Sequence, residues 1–301
     1  MDQQNSKPSF FIIGAGRTGA SVAFYLTRQG YKINALVERN PQRIDYLMEQ
    51  FNWSFLLNKI DSQVLKESRI ILVTVRDDHL NDMAQELSKI NIPWRNKIVV
   101  HMSGALPSDV LQPLREKGAH VASVHPVYSF ASDPRDNHRM TNIWFNIEGD
   151  EPALQLFEKL FAHTENRIFR VDSQQKQAMH IAAVIYANFY VSLAKMSRDL
   201  LQDILPAEED LFLLLNPLLT SSIEQVTRRG IVEGLTGPVT RGDAQTIQNH
   251  LDYLREHAPH LVEPYVVLTR QLLPLSGLKN HEKENLKSVL DGALKIIPEV
   301  K

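Results

Sequence analysis

The sequence predicts an α/β domain built on a doubly wound, mostly parallel sheet, followed by an all-helical domain. Three observations point there. Short apolar runs alternate with helical patterns as far as Val171, and strands that are apolar on both faces belong to parallel sheets covered by helices on each side. A glycine-rich turn, Gly14-Ala15-Gly16-Arg17-Thr18-Gly19, joins the first apolar run to the first helix. Beyond Val171 the apolar residues keep helical spacing only.

The elements follow in order. Residues 10–13 are a continuous apolar strand. Residues 21–29 place Val22, Ala23 and Leu26 at helical spacing, with Gly30 as the stop. Residues 32–37 read as the second strand, and Asn40 with Pro41 opens a helix to residue 51, Asn as N-cap and Pro at the first helical position. Strands at 53–57 and 69–75 come next, then an amphipathic helix at 78–90, a strand at 97–101, a helix at 107–117 and a strand at 119–125. Strands at 143–147 and 167–171 complete a first domain spanning 1–171. The second domain, 172–301, reads as a long helix over 173–203 capped by Ser173, then helices at 208–215, 217–229, 242–257, 260–273 and 282–296.

The composition is that of a folded globular chain: 301 residues, 43% hydrophobic and 23% charged, a length that suits two domains. Lys and Arg number 33 against 35 Asp and Glu, a net charge of −2, so neither nucleic acid nor an anionic membrane is an expected partner. The chain contains no Cys, which excludes disulfides, Cys-ligated metal centres and thiol nucleophiles and fits a cytoplasmic location. The segment MDQQNSKPSF lacks the basic start and apolar stretch of a signal peptide. The longest uncharged run, 177–194, contains His180, Asn188 and Ser192, and reads as a buried core helix rather than a membrane span. His79, His120, His138, His163, His250, His257, His260 and His281 are scattered without metal-binding spacing, so no metal is expected, and no G-x-S-x-G elbow is present. Lys7, Arg228, Arg229 and Lys295 read as solvated surface.

The glycine turn fits G-x-G-x-x-G in its required place, after a strand and before a helix. Gly14 permits the tight turn, Gly16 lets a pyrophosphate approach the backbone, and Gly19 lets the helix pack on the strand. Ala15, Arg17 and Thr18 complete the loop, whose helix N-terminus offers N–H groups to phosphate. Glu38, 19 residues after Gly19, is placed to bond the adenosine ribose as in NAD enzymes. Arg39 beside it is placed to pair with a 2′-phosphate, which tips the reading towards NADP, with NAD as the alternative.

Ligands of open α/β sheets bind beyond the C-terminal strand ends. Three polar loops end strands there: Val75-Arg76-Asp77-Asp78-His79, His101-Met102-Ser103-Gly104, and His125-Pro126-Val127-Tyr128-Ser129. Val75 and Arg76 are candidate cofactor contacts, and Asp78 is a helix N-cap before it is a catalyst. Ser103 faces the nicotinamide or simply makes a turn. His125 is a candidate general acid or base, or a hydrogen-bonded structural histidine. On the long helix, His180 and Asn188 lie within about 80° of one face, set either in an internal hydrogen bond or in a cleft towards the cofactor. In Leu235-Thr236-Gly237-Pro238-Val239-Thr240-Arg241-Gly242-Asp243, Asp243 suits a cap and Arg241 suits an anionic substrate group.

Five stretches, GAGRTG (14–19), HMSGAL (101–106), SVHPVYSFA (123–131), HIAAVIYANF (180–189) and LTGPVTRGD (235–243), give the chain a family likeness. It resembles the Rossmann-like family whose C-terminal part is the DUF2520 domain, a relative of pyrroline-5-carboxylate reductase, 6-phosphogluconate and β-hydroxyacid dehydrogenases, and prephenate dehydrogenase. The resemblance implies a Rossmann domain that binds NAD(P), a helical domain like that of 6-phosphogluconate dehydrogenase, and a homodimer formed through the helical domains. It also implies redox chemistry at C=O or C=N bonds. His125-Pro126 is similar to a His-Pro motif near the hydride-transfer site of prephenate dehydrogenases. β-Hydroxyacid dehydrogenases carry a catalytic Lys four residues before an Asn on the long helix; here that position is Val184, which leaves the proton to His125 or His180.

The resulting expectation is an NAD(P)-dependent oxidoreductase acting on a small, anionic carbonyl or imine metabolite or the matching alcohol or amine. Ser103, His125, His180 and Asn188 surround the nicotinamide, and Arg241 with Asp243 meets the substrate. The alternative is a non-enzymatic sensor or scaffold that binds the dinucleotide, for which the missing Lys speaks; a deazaflavin in the same loop is a third reading.

Overall fold

The computed structural model describes residues 7–137, 140–162, 164–205 and 207–294. Readings at residues 1–6, His138, His163, Lys295 and Ile296 lie outside the described residues. The chain divides into two compact units, one ending at Asn188 and the other beginning at Phe189.

The first unit is an eight-stranded sheet in the order β3-β2-β1-β4-β5-β6-β7-β8, parallel except for the β6–β7 pair. Its strands are β1 (Ser9–Ile13), β2 (Lys32–Val37), β3 (Leu56–Leu57), β4 (Ile70–Val73), β5 (Ile98–His101), β6 (His120–Pro126), β7 (Trp144–Gly149) and β8 (Arg167–Arg170). Helices α1 (Arg17–Arg28), α2 (Pro41–Phe51), α3 (Ser62–Glu67), α4 (Asp77–Ser88), α5 (Gln112–Arg115), α6 (Glu151–Phe161) and α7 (Ser173–Ala183) accompany them.

Strand alternation explains the two cores. Phe10 and Ile12 join the helix residues Val22, Leu26, Leu47 and Phe157 on one face. Phe11 and Ile13 join Leu65, Leu80, Leu87 and Leu114 on the other. Burial of each such side chain contributes roughly 2 kcal/mol, so both faces must be covered. The same alternation sets the site: on β5 and β6, Val100, Ala122 and Val124 belong to the first face, which turns His101, Ser123 and His125 to the second.

Several local expectations are corrected. The strand expected at 53–57 is only Leu56–Leu57, because Trp53 stacks between Phe51 and Phe55 instead of extending the sheet. The helix expected at 107–117 is a 3₁₀ turn, Ser108–Leu111, followed by the short α5. Pro113 has no N–H for the ladder, so one continuous helix cannot run through it. Helices α3 and α6, absent from the sequence reading, start at Asp61 and Asp150. Asp172, not Ser173, caps α7: its carboxylate accepts the Gln175 N–H while the Gln175 side chain accepts the Asp172 N–H.

The long helix expected over 173–203 is α7, a π-helical stretch Val184–Asn188, and α8 (Phe189–Leu201). The apolar residues of its middle are not core, for Ile181, Ile185, Tyr186, Phe189 and Val191 are all more than half exposed, whereas Met196 and Leu200 pack against the core of the second unit.

The second unit contains α8, α9 (Glu208–Gly234), α10 (Ala244–His257), α11 (Val262–Leu272) and α12 (Asn280–Leu294). Its core gathers Ile247, Leu251, Val266, Leu286 and Leu290. Two helices expected either side of Asn216 are one, since α9 continues through Pro217 at the loss of one ladder bond; the non-helical residue is Gly230, at φ 84°. Among the described residues no helix is long and apolar enough to cross a membrane.

Candidate active site

The glycine loop has the geometry its sequence promises. Gly14 sits at φ +98°, its N–H on the Val37 carbonyl at 2.8 Å, and a Cβ there would press on the Thr74 carbonyl at 2.9 Å. A Cβ on Gly19 would collide with the Gly14 carbonyl and the Thr74 hydroxyl. A Cβ on Gly16 would meet nothing within 4 Å, so the backbone there faces open space. No side chain caps α1 and its first turn carries no acid, which leaves the positive helix end available to an anion.

Glu38 has a second role. Its carboxylate accepts N–H groups from Ala15 at 3.0 Å, Arg39 at 2.8 Å and Asn40 at 2.9 Å. It thus ties the end of β2 to the glycine loop, with about one of its four lone-pair sites left for a ribose. Arg39 is exposed and pairs with Glu86 at 2.5 Å. The sequence reading missed Arg43, which donates from Nε to the Ala15 carbonyl at 2.9 Å and so lies directly beside the loop. Arg76 is exposed at the N-cap position of α4 and pairs with Asp78. Asp78 is therefore not the cap; it lies in the first helical turn. Val75 follows Thr74 at the base of the loop, where its N lies 3.0 Å from the Cβ that Gly14 lacks.

A cluster of polar groups sits at the strand ends nearby in sequence and register. His101 pairs with Ser123 across β5 and β6, and His125 with Asn146 across β6 and β7. Paired residues share a face, so His101, Ser123, His125 and Asn146 form a polar stripe in the buried sheet. His101 is fully buried; its Nδ1 accepts the Ser103 N–H at 3.2 Å, so Nε2 carries the proton that meets the Pro107 carbonyl at 3.2 Å. Burial, helped by the Lys176 charge, pushes its pKa down to about 3 and keeps it neutral.

His125 is partly buried. Its Nδ1 lies 3.0 Å from the Met102 carbonyl and must donate to it, which leaves Nε2 as the ring atom with a lone pair. Burial pushes its pKa down to about 4, against the Met102 hydrogen bond and with the help of the Lys176 and His180 charges. His180 stands edge-on to it, ring centres 6.3 Å apart. Gly104 lies against both rings: a Cβ there would be 2.6 Å from His180 Nδ1 and 2.8 Å from His125 Nε2.

Ser103 follows the turn alternative, and Asn188 departs from its expected relation to His180. The Ser103 hydroxyl donates to Asp77 at 2.8 Å and accepts the N–H groups of Ala105 at 3.1 Å and Leu106 at 3.0 Å, so its bonding capacity is filled by its own loop and by Asp77 at the start of α4. Asn188 is exposed at the end of the π-helical stretch. A π turn takes an extra residue, so the angular relation to His180 computed for an α-helix does not hold.

The polar partner of His180 on its helix face is Lys176, four residues earlier within regular α-helix. Lys176 is completely buried and donates from Nζ to Ser123 Oγ. Burial pushes its pKa down to about 8, against the charges of Glu148 and Asp77. The sequence reading passed over it because lysines are almost always at the surface; the signal available was its i, i+4 spacing to His180. Below pH 8 the fold carries the cost of the buried ammonium, about 3 kcal/mol by this shift, and the cost fades between about pH 8 and the ordinary lysine value. Lys176→Met is accordingly expected to gain about 2 kcal/mol at pH 7 after loss of the Ser123 hydrogen bond, and little at pH 10, as urea unfolding at the two pH values will show.

Comparison with known proteins fits this geometry. The Rossmann-like domain model matches residues 1–126. The model Domain of unknown function (DUF2520) matches residues 143–272. The chain is a Rossmann-like domain joined to a DUF2520 domain.

Solved structures share the fold of this Rossmann-like/DUF2520 protein. BF3122 of Bacteroides fragilis, provisionally designated an NADP oxidoreductase, has a TM-score of 0.73 at 22% identity over 89% of this chain and 98% of its own. Protein TM1727 of Thermotoga maritima has a TM-score of 0.57 at 25% identity over 94% of this chain and 98% of its own. A variant imine reductase of Myxococcus stipitatus, solved in complex with NAD+, has a TM-score of 0.59 at 17% identity over 96% of this chain and all (100%) of its own. No curated protein matches the chain.

In the DUF2520 part, Asp243 caps α10, accepting the Thr246 N–H at 3.0 Å and the Thr246 hydroxyl at 2.7 Å. Its carboxylate is thus engaged within its own turn. Arg241 is exposed, and its side chain makes no hydrogen bond or ion pair among the described residues.

Proposed function

We propose that the protein is an NAD(P)-dependent oxidoreductase, NADP-preferring, that moves a hydride to or from the carbon of a C=O or C=N bond in a small, anionic metabolite. One observation carries the reading: an open glycine loop and a pair of abutting histidines both lie at the C-terminal strand ends of one sheet. The fold shared with proteins named imine reductase and NADP oxidoreductase supports it.

The loop residues Gly14 to Gly19 fit a pyrophosphate, for the path at Gly16 is clear and the α1 end is uncapped. Glu38 orients the loop from below, and Arg39 and Arg43 are the cations placed for a 2′-phosphate. The dinucleotide, when bound, supplies or accepts the hydride. The protein's part is to position the substrate and handle the proton. His125 presents a bare Nε2 that is neutral at physiological pH, suited to accept a proton or hydrogen bond from the reacting oxygen or nitrogen. His180 is the second candidate for that proton, and Gly104 allows both rings to approach one point. Arg241 is free to pair with a substrate carboxylate or phosphate.

Fluorescence titration with NADPH and NADH tests the reading; failure to bind either ends it. Arg39→Ser is expected to weaken NADPH about tenfold or more and to leave NADH nearly unchanged, the loss of one charge-assisted phosphate contact. A metabolite screen that follows NADPH consumption then separates an enzyme from a sensor.

A homodimer through the helical part belongs to the same proposal. Leu213, Leu214, Leu218, Ile231 and Val232 on α9 are each more than half exposed in the single chain, an apolar surface that suits an interface. Light scattering is expected to give twice the chain mass, and Leu218→Glu to shift the protein towards monomer.

A further inference from the structure

We infer that the pocket where β6 ends and β7 and β8 begin, beneath α7, is the specificity subsite of the candidate active site and that, given the redox reading above, it takes a neutral aryl group as the non-reacting arm of the substrate. The pocket has a volume of about 510 Å³, within the range of small-molecule sites. Val127, Tyr128, Trp144, Phe169 and Met179 line it. Register places it beside His125. The Val127 N–H donates to the Trp144 carbonyl at 2.8 Å, so the β6–β7 ladder runs one pair beyond Pro126 and Phe145. Val127 and Trp144 lie two residues from His125 and Asn146 and share their face. Phe169 pairs with Asn146 from β8, which sets Asn146 between His125 and the pocket wall. Over that face, α7 brings Met179 to the pocket and His180 to His125, all within the first unit.

Three rings set the chemistry of the wall. Trp144 and Phe169 meet edge to face, ring centres 5.7 Å apart. Trp144 is 46% exposed and Tyr128 38%, aromatic area that a bound ring would cover. A further ring joins such walls through edge and offset contacts that an alkyl group cannot make. No charged side chain lines the pocket among the described residues. The Arg167 guanidinium lies over the Trp144 ring, 5.2 Å from its centre, so a cationic ligand would meet a like charge there. The aryl group is therefore neutral. A separate observation points to a ligand at the inner end. Asn146 is buried, and its Oδ1 has no hydrogen-bond partner among the described residues. Folded interiors keep few polar groups unpaired, and a ligand would complete this one. An amide carries both a donor and an acceptor, so Asn146 can meet the oxygen or the nitrogen of the reacting group beside His125 while the ring lies outward between Trp144 and Phe169.

The test is calorimetric titration of the full chain, at saturating NADPH, with three non-reacting amides: 2-phenylacetamide, 2-cyclohexylacetamide and hexanamide. The phenyl compound is expected to bind at least about threefold more tightly than the other two, the worth of aromatic contacts beyond buried area. Trp144→Ala is expected to weaken it about tenfold or more. Phe169→Leu, which keeps the apolar bulk and removes the ring, is expected to erase the preference for phenyl; should Trp144→Ala fail to fold, Phe169→Leu decides. Asn146→Leu is expected to weaken all three amides about fivefold and to keep that preference. With NADPH bound, the subsite is overturned by the absence of saturable binding, by equal affinity for phenyl and cyclohexyl, or by a phenyl affinity that ignores both ring substitutions. It is equally overturned by amide affinities that ignore Asn146→Leu, which would detach the pocket from His125. In each of these cases the redox reading stands, whereas failure of NADPH itself to bind removes both.

Discussion

His125→Ala is expected to lower kcat by about 10²–10⁴-fold with NADPH affinity unchanged, on whichever carbonyl or imine the screen identifies. The reason is local. The Met102 carbonyl fixes the Nδ1 proton, so the ring offers only Nε2 to a substrate, and burial keeps that atom neutral. Gly104→Ala tests the same atom by geometry. Its Cβ would stand 2.8 Å from His125 Nε2 and 2.6 Å from His180 Nδ1, so both rings must move. A displacement of about 1 Å at a reacting group costs on the order of 10²-fold. Because the two substitutions disable one unit, the double variant is expected to be no slower than His125→Ala. Additive losses would show that Gly104 acts elsewhere, and an unchanged kcat in either single variant would remove His125 from the chemistry.

The second large effect concerns the glycine loop. Gly19→Ala is expected to destabilise the fold by about 3 kcal/mol, the upper end for an overpacked core, and to abolish dinucleotide binding. The new methyl has nowhere to go: it meets the Gly14 carbonyl and the Thr74 hydroxyl, both held by the turn itself. Gly16→Ala should leave the fold intact, because open space surrounds its Cβ, and should still weaken NADPH by obstructing the backbone face a pyrophosphate approaches. Urea midpoints and cofactor titrations on the pair separate the structural glycine from the binding one. Equal stability losses in the two variants would contradict this division.

Much of the site was legible because its logic is local. The loop from Gly14 to Gly19 needs only a strand before it and a helix after it, and both are written in adjacent residues. Asn40 and Pro41 open α2 as their chemistry requires, with the Asn40 side chain accepting the Arg43 N–H. His125 stands out as a candidate because it ends an apolar strand beside a proline. Other residues were illegible for stated reasons. Ser103 looks like a site residue and is a loop organiser, since its partners Asp77 and Leu106 depend on how two loops meet. Gly104 looks like turn punctuation and is the floor between two imidazoles. Asn188 was paired with His180 by counting 100° per residue, and the π-helical stretch breaks that count.

Lys176 marks the boundary most clearly. The sequence alone determined the alternation of apolar runs, hence a sheet buried on both faces, and placed a glycine-rich strand-to-helix turn after its first strand. Those follow from period and turn chemistry, which act over a few residues. Only the tertiary structure decided that a lysine on α7 would be driven into the interior to meet Ser123, 53 residues away. Burial of a charge depends on what the rest of the chain packs around it. That environment is assembled from several strands at once, and no window of sequence contains it.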